Sequence, residues 1–268
     1  MRLVIEQDYA AMSTWAAEHV IKRINEFAPT ADRPFVIGLP TGSTPIGMYQ
    51  ELAKACRAGR ISFKNVITVN MDEYVGLEPS HPESYHYFMK SNFFDHIDID
   101  PKNTHLLNGL AEDTTAECQA YEEMIQSLGG IDLFIGGIGS DGHIAFNEPG
   151  SSLASRTREV RLMPETIRDN SRFFENDLSK VPTRALTVGV GTVTDAREVM
   201  ILISGSNKAR ALCKAVEGHI TQMCPISALQ LHSDSIIVCD DDAAVELQVK
   251  TFRFYKHEEE LAREGLAY

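Results

Sequence analysis

No stretch of this 268-residue chain stays apolar for the roughly 20 residues that a bilayer crossing requires, so a membrane-spanning role is not expected. The first residues, Met1 to Asp8, turn acidic too early for a secretory signal. Cysteine is scarce: Cys56, Cys118, Cys213, Cys224 and Cys239 are scattered, odd in number and form no Cys-x-x-Cys pair. That pattern excludes a disulfide framework and a zinc knuckle, and it points to reduced thiols in a cytoplasmic setting. Positive charge is also short. Twenty-five Lys and Arg stand against 38 Asp and Glu, a net charge of -13, which disfavours nucleic acid and anionic membrane as partners. The same field repels an anionic metabolite at long range, so any phosphate site has to be built locally from helix N-termini and a few placed cations. Three further patterns are missing: the Gly-Lys-Ser/Thr of a nucleotide P-loop, the Gly-x-Gly-x-x-Gly of a dinucleotide fold and the His-Glu-x-x-His of a zinc hydrolase.

What is present is an ordinary globular composition, 43% hydrophobic and 24% charged, with strand-like runs alternating with helical patterns from end to end. Phe35–Leu39 precedes a helix whose apolar residues (Ile46, Tyr49, Leu52, Ala53, Cys56) recur at three- and four-residue spacing. Val66–Met71 follows, then a helix near Thr114–Leu128, a strand from Ile131, and later strands at Ala185–Val190, Val199–Ile203 and Ser235–Cys239. Such alternation implies βαβ units and an α/β fold, an open, largely parallel sheet flanked by helices in a Rossmann-like, modified doubly wound arrangement. Without linkers, repeats or low-complexity tracts, residues 1–268 are expected to form a single domain. The excursion at about 151–180 shows mixed charge and no clear strand; it is either a lid or packed irregular structure.

The most informative stretch is Ile131-Asp-Leu-Phe-Ile-Gly-Gly-Ile-Gly-Ser-Asp-Gly-His-Ile-Ala-Phe-Asn-Glu-Pro149. A buried β-branched run ends in glycines and delivers Asp141, His143 and Glu148 to a sheet edge, where open α/β folds place their ligands. Two carboxylates beside an imidazole can orient it, fix its tautomer and raise its basicity, which suits proton transfer. The bland alternative is a polar loop that satisfies its own backbone.

Two other turns suit phosphate. Thr41-Gly42-Ser43-Thr44-Pro45 joins a strand to a helix, with Ser43 or Thr44 as N-cap, Pro45 in the first turn, and Gly42 freeing backbone amides to surround an anion. A well-capped helix start would read the same. Ser204-Gly205-Ser206-Asn207-Lys208 repeats the design, and a lysine in a first helical turn opposes the macrodipole unless an anion sits beside it; a solvated Lys208 is the alternative. Asp72 leaves the strand that begins at Val66 at the same edge of the sheet as Asp141, available for a proton on carbon or simply capping the next turn.

Together these segments resemble the glucosamine-6-phosphate deaminase (isomerase) family of the sugar-phosphate deaminase and 6-phosphogluconolactonase superfamily. The resemblance rests on Leu39–Pro45, Asn70–Tyr74, His81–Tyr85, Gly139–Pro149, Ser151–Arg158, Asn170–Phe174, Ala185–Thr192 and Lys208-Ala209, and runs from Met1 to about Lys256. It implies an aldose–ketose isomerisation coupled to loss of ammonia: glucosamine 6-phosphate and water give fructose 6-phosphate in amino-sugar catabolism. On that model His143, held by Asp141 and Glu148, opens the pyranose ring, and Asp72 carries the C2 proton to C1. Thr41, Gly42, Ser43, Thr44, Arg172 and Lys208 take the substrate and its phosphate. The resemblance implies no metal and no organic cofactor, and it implies self-association as a homohexamer.

One departure stands out. Ser151 and Arg158 match the family's site for the activator N-acetylglucosamine 6-phosphate, but the lysine of that site is Val160 here and its tyrosine is Phe254, beside Tyr255. Arg161 is the available substitute cation, and weak or absent activation is expected. The rivals are a lactonase on the same fold, which would not explain Asp72 and Glu148 joining His143, and a sugar-phosphate sensor, which would carry a DNA-binding helix-turn-helix. A metal hydrolase built from His81 and His86 is third; both histidines are expected to be structural or loop residues.

Overall fold

The computed structural model describes residues 1–266. In chain order the first elements are β1 (Arg2–Glu6), α1 (Tyr9–Phe27), β2 (Phe35–Leu39), α2 (Ile46–Arg57) and β3 (Val66–Asn70). Next come β4 (Asp72–Tyr74), α3 (Tyr85–Asn92), β5 (Thr104–His105), α4 (Thr114–Ser127) and β6 (Leu133–Gly137). The excursion holds β7 (Arg158–Arg161) and α5 (Pro164–Asn170), followed by β8 (Arg184–Thr187) and α6 (Val190–Thr194). The chain continues through β9 (Glu198–Ile203), α7 (Ala209–Glu217), β10 (Ser235–Asp240) and α8 (Val249–Arg263).

Seven strands form one parallel sheet in the order β1-β10-β9-β6-β2-β3-β5. The central strands are buried along their whole length, Glu198–Ile203 and Ser235–Asp240 among them, because helices cover both faces. One face packs Met12, Val20 and Ile24 of α1 with Leu52 of α2 and Met89 of α3. The other packs Tyr121 and Ile125 of α4, Val193 of α6 and Leu212 of α7. From β2 the chain moves outward through β3 to β5, then returns to lay β6 on the opposite side of β2. The order therefore reverses between β2 and β6, and the crevice at the carboxyl ends of these two strands is where open α/β sheets bind ligands.

Three short strands make a second sheet, β4-β8-β7, with both pairings antiparallel. This differs from the sequence reading in two places. The run from Ala185 is not part of the parallel sheet: it ends as a strand at Thr187, pairs with β4 and β7, and turns into α6 at Val190. Gly189 stops it, since a Cβ there would lie 1.9 Å from the Ser155 carbonyl oxygen. The excursion also contains a strand, β7, whose sequence Arg-Glu-Val-Arg reads as a polar segment. A third apolar cluster holds this sheet and the excursion together: Tyr74, Phe146, Leu162, Phe174, Val181 and Ala185. Leu162 and Phe174 are side chains whose burial stabilises by roughly 1.5–3 kcal/mol each, so much of the excursion is packed. Among the described residues, no helix is long and apolar enough to cross a membrane.

Candidate active site

Parallel strands deliver their following turns to one edge, and the order β9-β6-β2-β3 sets four of those turns side by side. The central one follows β6. Its backbone closes on itself, with Gly139 N–H donating to the His143 carbonyl at 3.0 Å and Gly142 N–H to the Gly139 carbonyl at 3.1 Å. The His143 ring lies flat against Gly139: a Cβ on that residue would sit 2.1 Å from ring Cε1 and 2.2 Å from Nδ1. Only glycine lets the imidazole come so close to the backbone. Asp141 accepts the His143 backbone N–H at 3.1 Å, and its Oδ1 is 2.8 Å from His143 Nδ1, a close ionic contact short of an aligned hydrogen bond. Burial works against the Asp141 charge, but its side-chain and backbone contacts with His143 outweigh it and bring the carboxyl down to about 2. Asp141 therefore stays a carboxylate at any working pH, and His143 keeps a fixed anion beside its Nδ1.

Asp72 opens β4, two residues past the end of β3, so the antiparallel sheet begins at the residue that carries the acid. It is buried at 5% exposure, and its Oδ1 has no hydrogen-bond partner among the described residues. Burial, followed by the charge of Glu73, pushes its carboxyl well above the ordinary carboxylate range. A desolvated, incompletely bonded carboxylate is a stronger base than one in water. Asp72 does not serve as a helix cap; α3 is capped by Ser84, which accepts from Tyr87 N–H.

The turn after β2 departs from the expected capping. Pro45 rather than Ser43 or Thr44 holds the N-cap position of α2, with no side-chain cap bond. Tyr9 takes over that task from α1: its hydroxyl accepts Gly47 N–H at 2.8 Å and donates to the Ser43 carbonyl at 3.2 Å. The Ser43 and Thr44 side chains are thereby spared from capping. Gly42 has φ +88° with open space where a Cβ would point, so glycine is needed there for its backbone angle.

The turn after β9 is anchored from β10: Asp240 accepts from the Ser204 hydroxyl and from Gly205 N–H at 3.0 Å. Lys208 ends this turn half-buried. Burial pushes its ammonium below the usual lysine range; Asp169 opposes that, the neighbouring Arg172 cation reinforces it, and Asp141 opposes it. Lys208 and Arg172 are thus neighbouring cations, with the acids Asp169 and Asp141 close enough to act on Lys208. Arg172 lies in the excursion, stacked on the Phe173 ring at 4.7 Å.

Glu148 is where the structure departs from the expected constellation. It is buried at the end of the His143 loop, but its carboxylate accepts from Met163 N–H at 3.0 and 3.1 Å and from the Thr166 hydroxyl. Among the described residues it makes no hydrogen bond to His143. Its oxygens are satisfied by the first turn of α5, whose unbonded amides attract a carboxylate. Glu148 thus ties the His143 loop to the excursion.

Ser151, Arg158 and Arg161 do come together. They line a shallow groove of about 610 Å³ with Arg156 and Val160, and Arg158 donates to the Ser151 hydroxyl at 3.3 Å and to Asn147 Oδ1 at 2.8 Å. Val160 packs against the third apolar cluster, so the position that departs from the family pattern is spent on packing. Phe254 is half-exposed on α8, and Tyr255 lines a separate cavity with Met1 and Arg2. No three His, Cys, Asp or Glu side chains among the described residues are arranged to hold a metal ion.

Residues 7–238 match the family model described as glucosamine-6-phosphate isomerases/6-phosphogluconolactonase. The chain belongs to this family. It is 67% identical over 256 residues, 96% of this chain and 97% of the relative, to a glucosamine-6-phosphate deaminase of Porphyromonas gingivalis. A solved structure described as a monomeric glucosamine-6-phosphate deaminase superposes with a TM-score of 0.88 at 42% identity, covering 92% of this chain and all of the other. A 6-phosphogluconolactonase from Trypanosoma brucei superposes with a TM-score of 0.72 at 18% identity, over 92% of this chain and 98% of its own, and shares the fold.

Within this family member, reading the sequence passed over several residues that build the site. Asn147 is fully buried and ties the His143 loop to the second sheet through the Val188 carbonyl at 2.8 Å and to Arg158. Asp240, Asp169 and Glu73 were also missed. The signal for Asp240 was present, an acid at the end of a strand beside a Ser-Gly turn; Asp169 sits in the excursion, where no local pattern marks a contact. His81 and His86 do prove local: His81 Nδ1 accepts Glu83 N–H at 3.1 Å, and His86 Nδ1 lies 2.8 Å from Glu73.

Proposed function

We propose that this chain converts glucosamine 6-phosphate and water to fructose 6-phosphate and ammonia, and that residues 1–268 act as one catalytic domain with residues 151–180 as its lid. The observation that carries this reading is that a buried, partly unbonded carboxylate at Asp72 and the Asp141–His143 pair both follow strands at the same carboxyl edge of the parallel sheet. A lactone hydrolase has no use for a strong base aimed at carbon.

The phosphate sits on the amides of Thr41, Gly42, Ser43 and Thr44, between Lys208 and Arg172. His143, charged or neutral beside the permanent Asp141 anion, moves the anomeric hydroxyl proton to the ring oxygen and opens the pyranose. Asp72 then removes the C2 proton from the open-chain aldehyde while the aldehyde oxygen takes up a proton, giving an enolamine, and returns its proton at C1 as the nitrogen gives one up. The resulting C2 imine takes up water, and its nitrogen leaves as ammonia, giving the ketose. Each positioned acid or base step of this kind contributes about 10²–10⁴-fold in rate. Glu148 acts through its hold on α5, coupling closure of the excursion to the His143 loop. No metal or organic cofactor takes part. The enzyme works in the cytoplasm, a setting that suits its five free cysteines, and it self-associates, as a homohexamer on the family pattern.

Ammonia and fructose 6-phosphate release from glucosamine 6-phosphate, measured with EDTA present, tests the reading. Wild type forms both products in equal amounts, and Asp72→Asn loses at least about 10²-fold in kcat. Activity that survives the substitution would reassign the base. The groove at Ser151, Arg158 and Arg161 lacks the lysine that Val160 replaces, so N-acetylglucosamine 6-phosphate activates weakly or not at all. A sigmoidal substrate curve made hyperbolic by that effector would contradict this.

A further inference from the structure

Glu73 is the most deeply buried acid beside the site, at 1% exposure, and the chemistry above gives it no task. Successive residues of a strand point to opposite faces, so Asp72 and Glu73 leave β4 in opposite directions while their charges stay one residue apart. Glu73 is held with unusual completeness. It accepts Tyr74 N–H at 2.8 Å, Tyr85 N–H at 3.1 Å and His86 N–H at 3.1 Å, and His86 Nδ1 at 2.8 Å completes the set. Tyr85 and His86 are the first two residues of α3, so the carboxylate also faces the positive end of that helix. Behind it, the chain at Gly109 presses so close that a Cβ there would meet the Tyr74 carbonyl at 2.0 Å and Glu73 Cγ at 3.4 Å. An acid with four donors and no room to turn is a fixed negative charge.

We propose that Glu73, clamped by the first turn of α3 and by His86, is a positioning residue that fixes the direction and the base strength of Asp72; this rests on Asp72 being the base of the proposed reaction. Two separate effects follow from the geometry. The clamp fixes the backbone of β4, and with it the direction of the Asp72 carboxylate. The fixed charge disfavours a second anion next door, so Asp72 holds a proton more tightly once it has taken one from C2. Few other groups compete. The partners of Asp72, Glu73 and Tyr74 across the sheet are Thr187, Leu186 and Ala185, none of which ionises. From the remaining elements Asp72 interacts with Tyr74, Tyr85 of α3 and Tyr121 of α4, all phenols that burial holds neutral. His86 is part-exposed, its side chain 30% open to solvent, and gives water a route to the pair.

The sign of the effect is fixed. A base whose pKa is raised loses activity as pH falls through that raised value, so removing the neighbouring charge moves the acid limb of kcat downward. Glu73→Gln is expected to shift that limb down by roughly one pH unit. It should also lower kcat at the optimum by about 10-fold, because a weaker base is a poorer one, with KM changed less than about 2-fold. His86→Ala leaves the Glu73 charge less compensated and is expected to move the limb in the opposite direction. Glu73→Asp keeps the charge and should restore the position of the limb more than it restores kcat. An acid limb that stays in place in Glu73→Gln, whatever happens to thermal stability, would reduce Glu73 to a structural clamp and overturn the proposal. If Glu73→Gln does not fold, a limb that fails to rise in His86→Ala overturns it equally. Asp72→Asn measured alongside separates the two levels: activity surviving there removes the base itself, whereas an inactive Asp72→Asn with an unmoved limb in Glu73→Gln removes only the tuning.

Discussion

The two sheets of this molecule do different work under different constraints. The central strands of the parallel sheet are buried between two large apolar layers, and turns that follow neighbouring strands present Thr41–Thr44, Asp141, His143 and Lys208. The three antiparallel strands are short, rest on a cluster of six buried side chains, and carry Asp72 at one end and the excursion at the other. Groups that must keep their place relative to one another stand on the deep sheet. The buried Asp72 carboxylate, and the excursion that carries Arg172, belong to the shallow one. β4 and most of β8 are buried, whereas β7 is part-exposed, so the β7 edge and the excursion beyond it are expected to open at lower free energy than a core strand.

Breaking the two layers separately sharpens that contrast. Ile201→Ala, in the fully buried β9, leaves a cavity in the deep core and should cost about 2–5 kcal/mol, lowering Tm by roughly 5–15 °C while KM changes little. Leu162→Ala removes a comparable side chain from the small cluster. Its expected effect is local: faster amide exchange across residues 158–187, unaltered protection in β9 and β10, and a raised KM. Equal loss of protection in both sheets would show that they open as one unit. A smaller change separates binding from stability. Lys208→Ala takes away a charge-assisted contact worth about 1.5–3 kcal/mol, so kcat/KM for glucosamine 6-phosphate falls by about 10–100-fold. Tm should hold or rise, because a partly buried ammonium next to Arg172 is removed.

How far this site could be read from sequence differs between the same two regions. The deep sheet was legible because buried parallel strands write themselves as short apolar runs: Phe35–Leu39 and Val199–Ile203 stand where periodicity put them, and the strand read from Ile131 runs from Leu133 to Gly137. Asp141 and His143 were legible for a related reason, being local in sequence and close in space. The shallow sheet was not. β4 has three residues, β7 carries three charged residues and one valine, and β8 looks like another core strand until Gly189 and Ser155 halt it. Contacts made across the fold also leave no local trace. Nothing near Ser43 announces that Tyr9, 34 positions earlier, supplies the bonds a capping side chain would have made. Glu148 was read as a partner of His143 because it is five residues away, yet Met163 and Thr166, brought over by the excursion, hold it instead.

The most direct measurement is the fate of a label at C2. Asp72 is 5% exposed, so a deuteron it removes is shielded from water while the intermediate lasts. Wild-type enzyme given C2-deuterated glucosamine 6-phosphate in ordinary water should therefore show a primary isotope effect and leave deuterium at C1 in a measurable share of the fructose 6-phosphate, read by NMR. Complete washout, with only hydrogen at C1 in every product molecule, would mean that the proton passes through a group in free exchange with solvent, and a buried Asp72 could not be the residue that carries it.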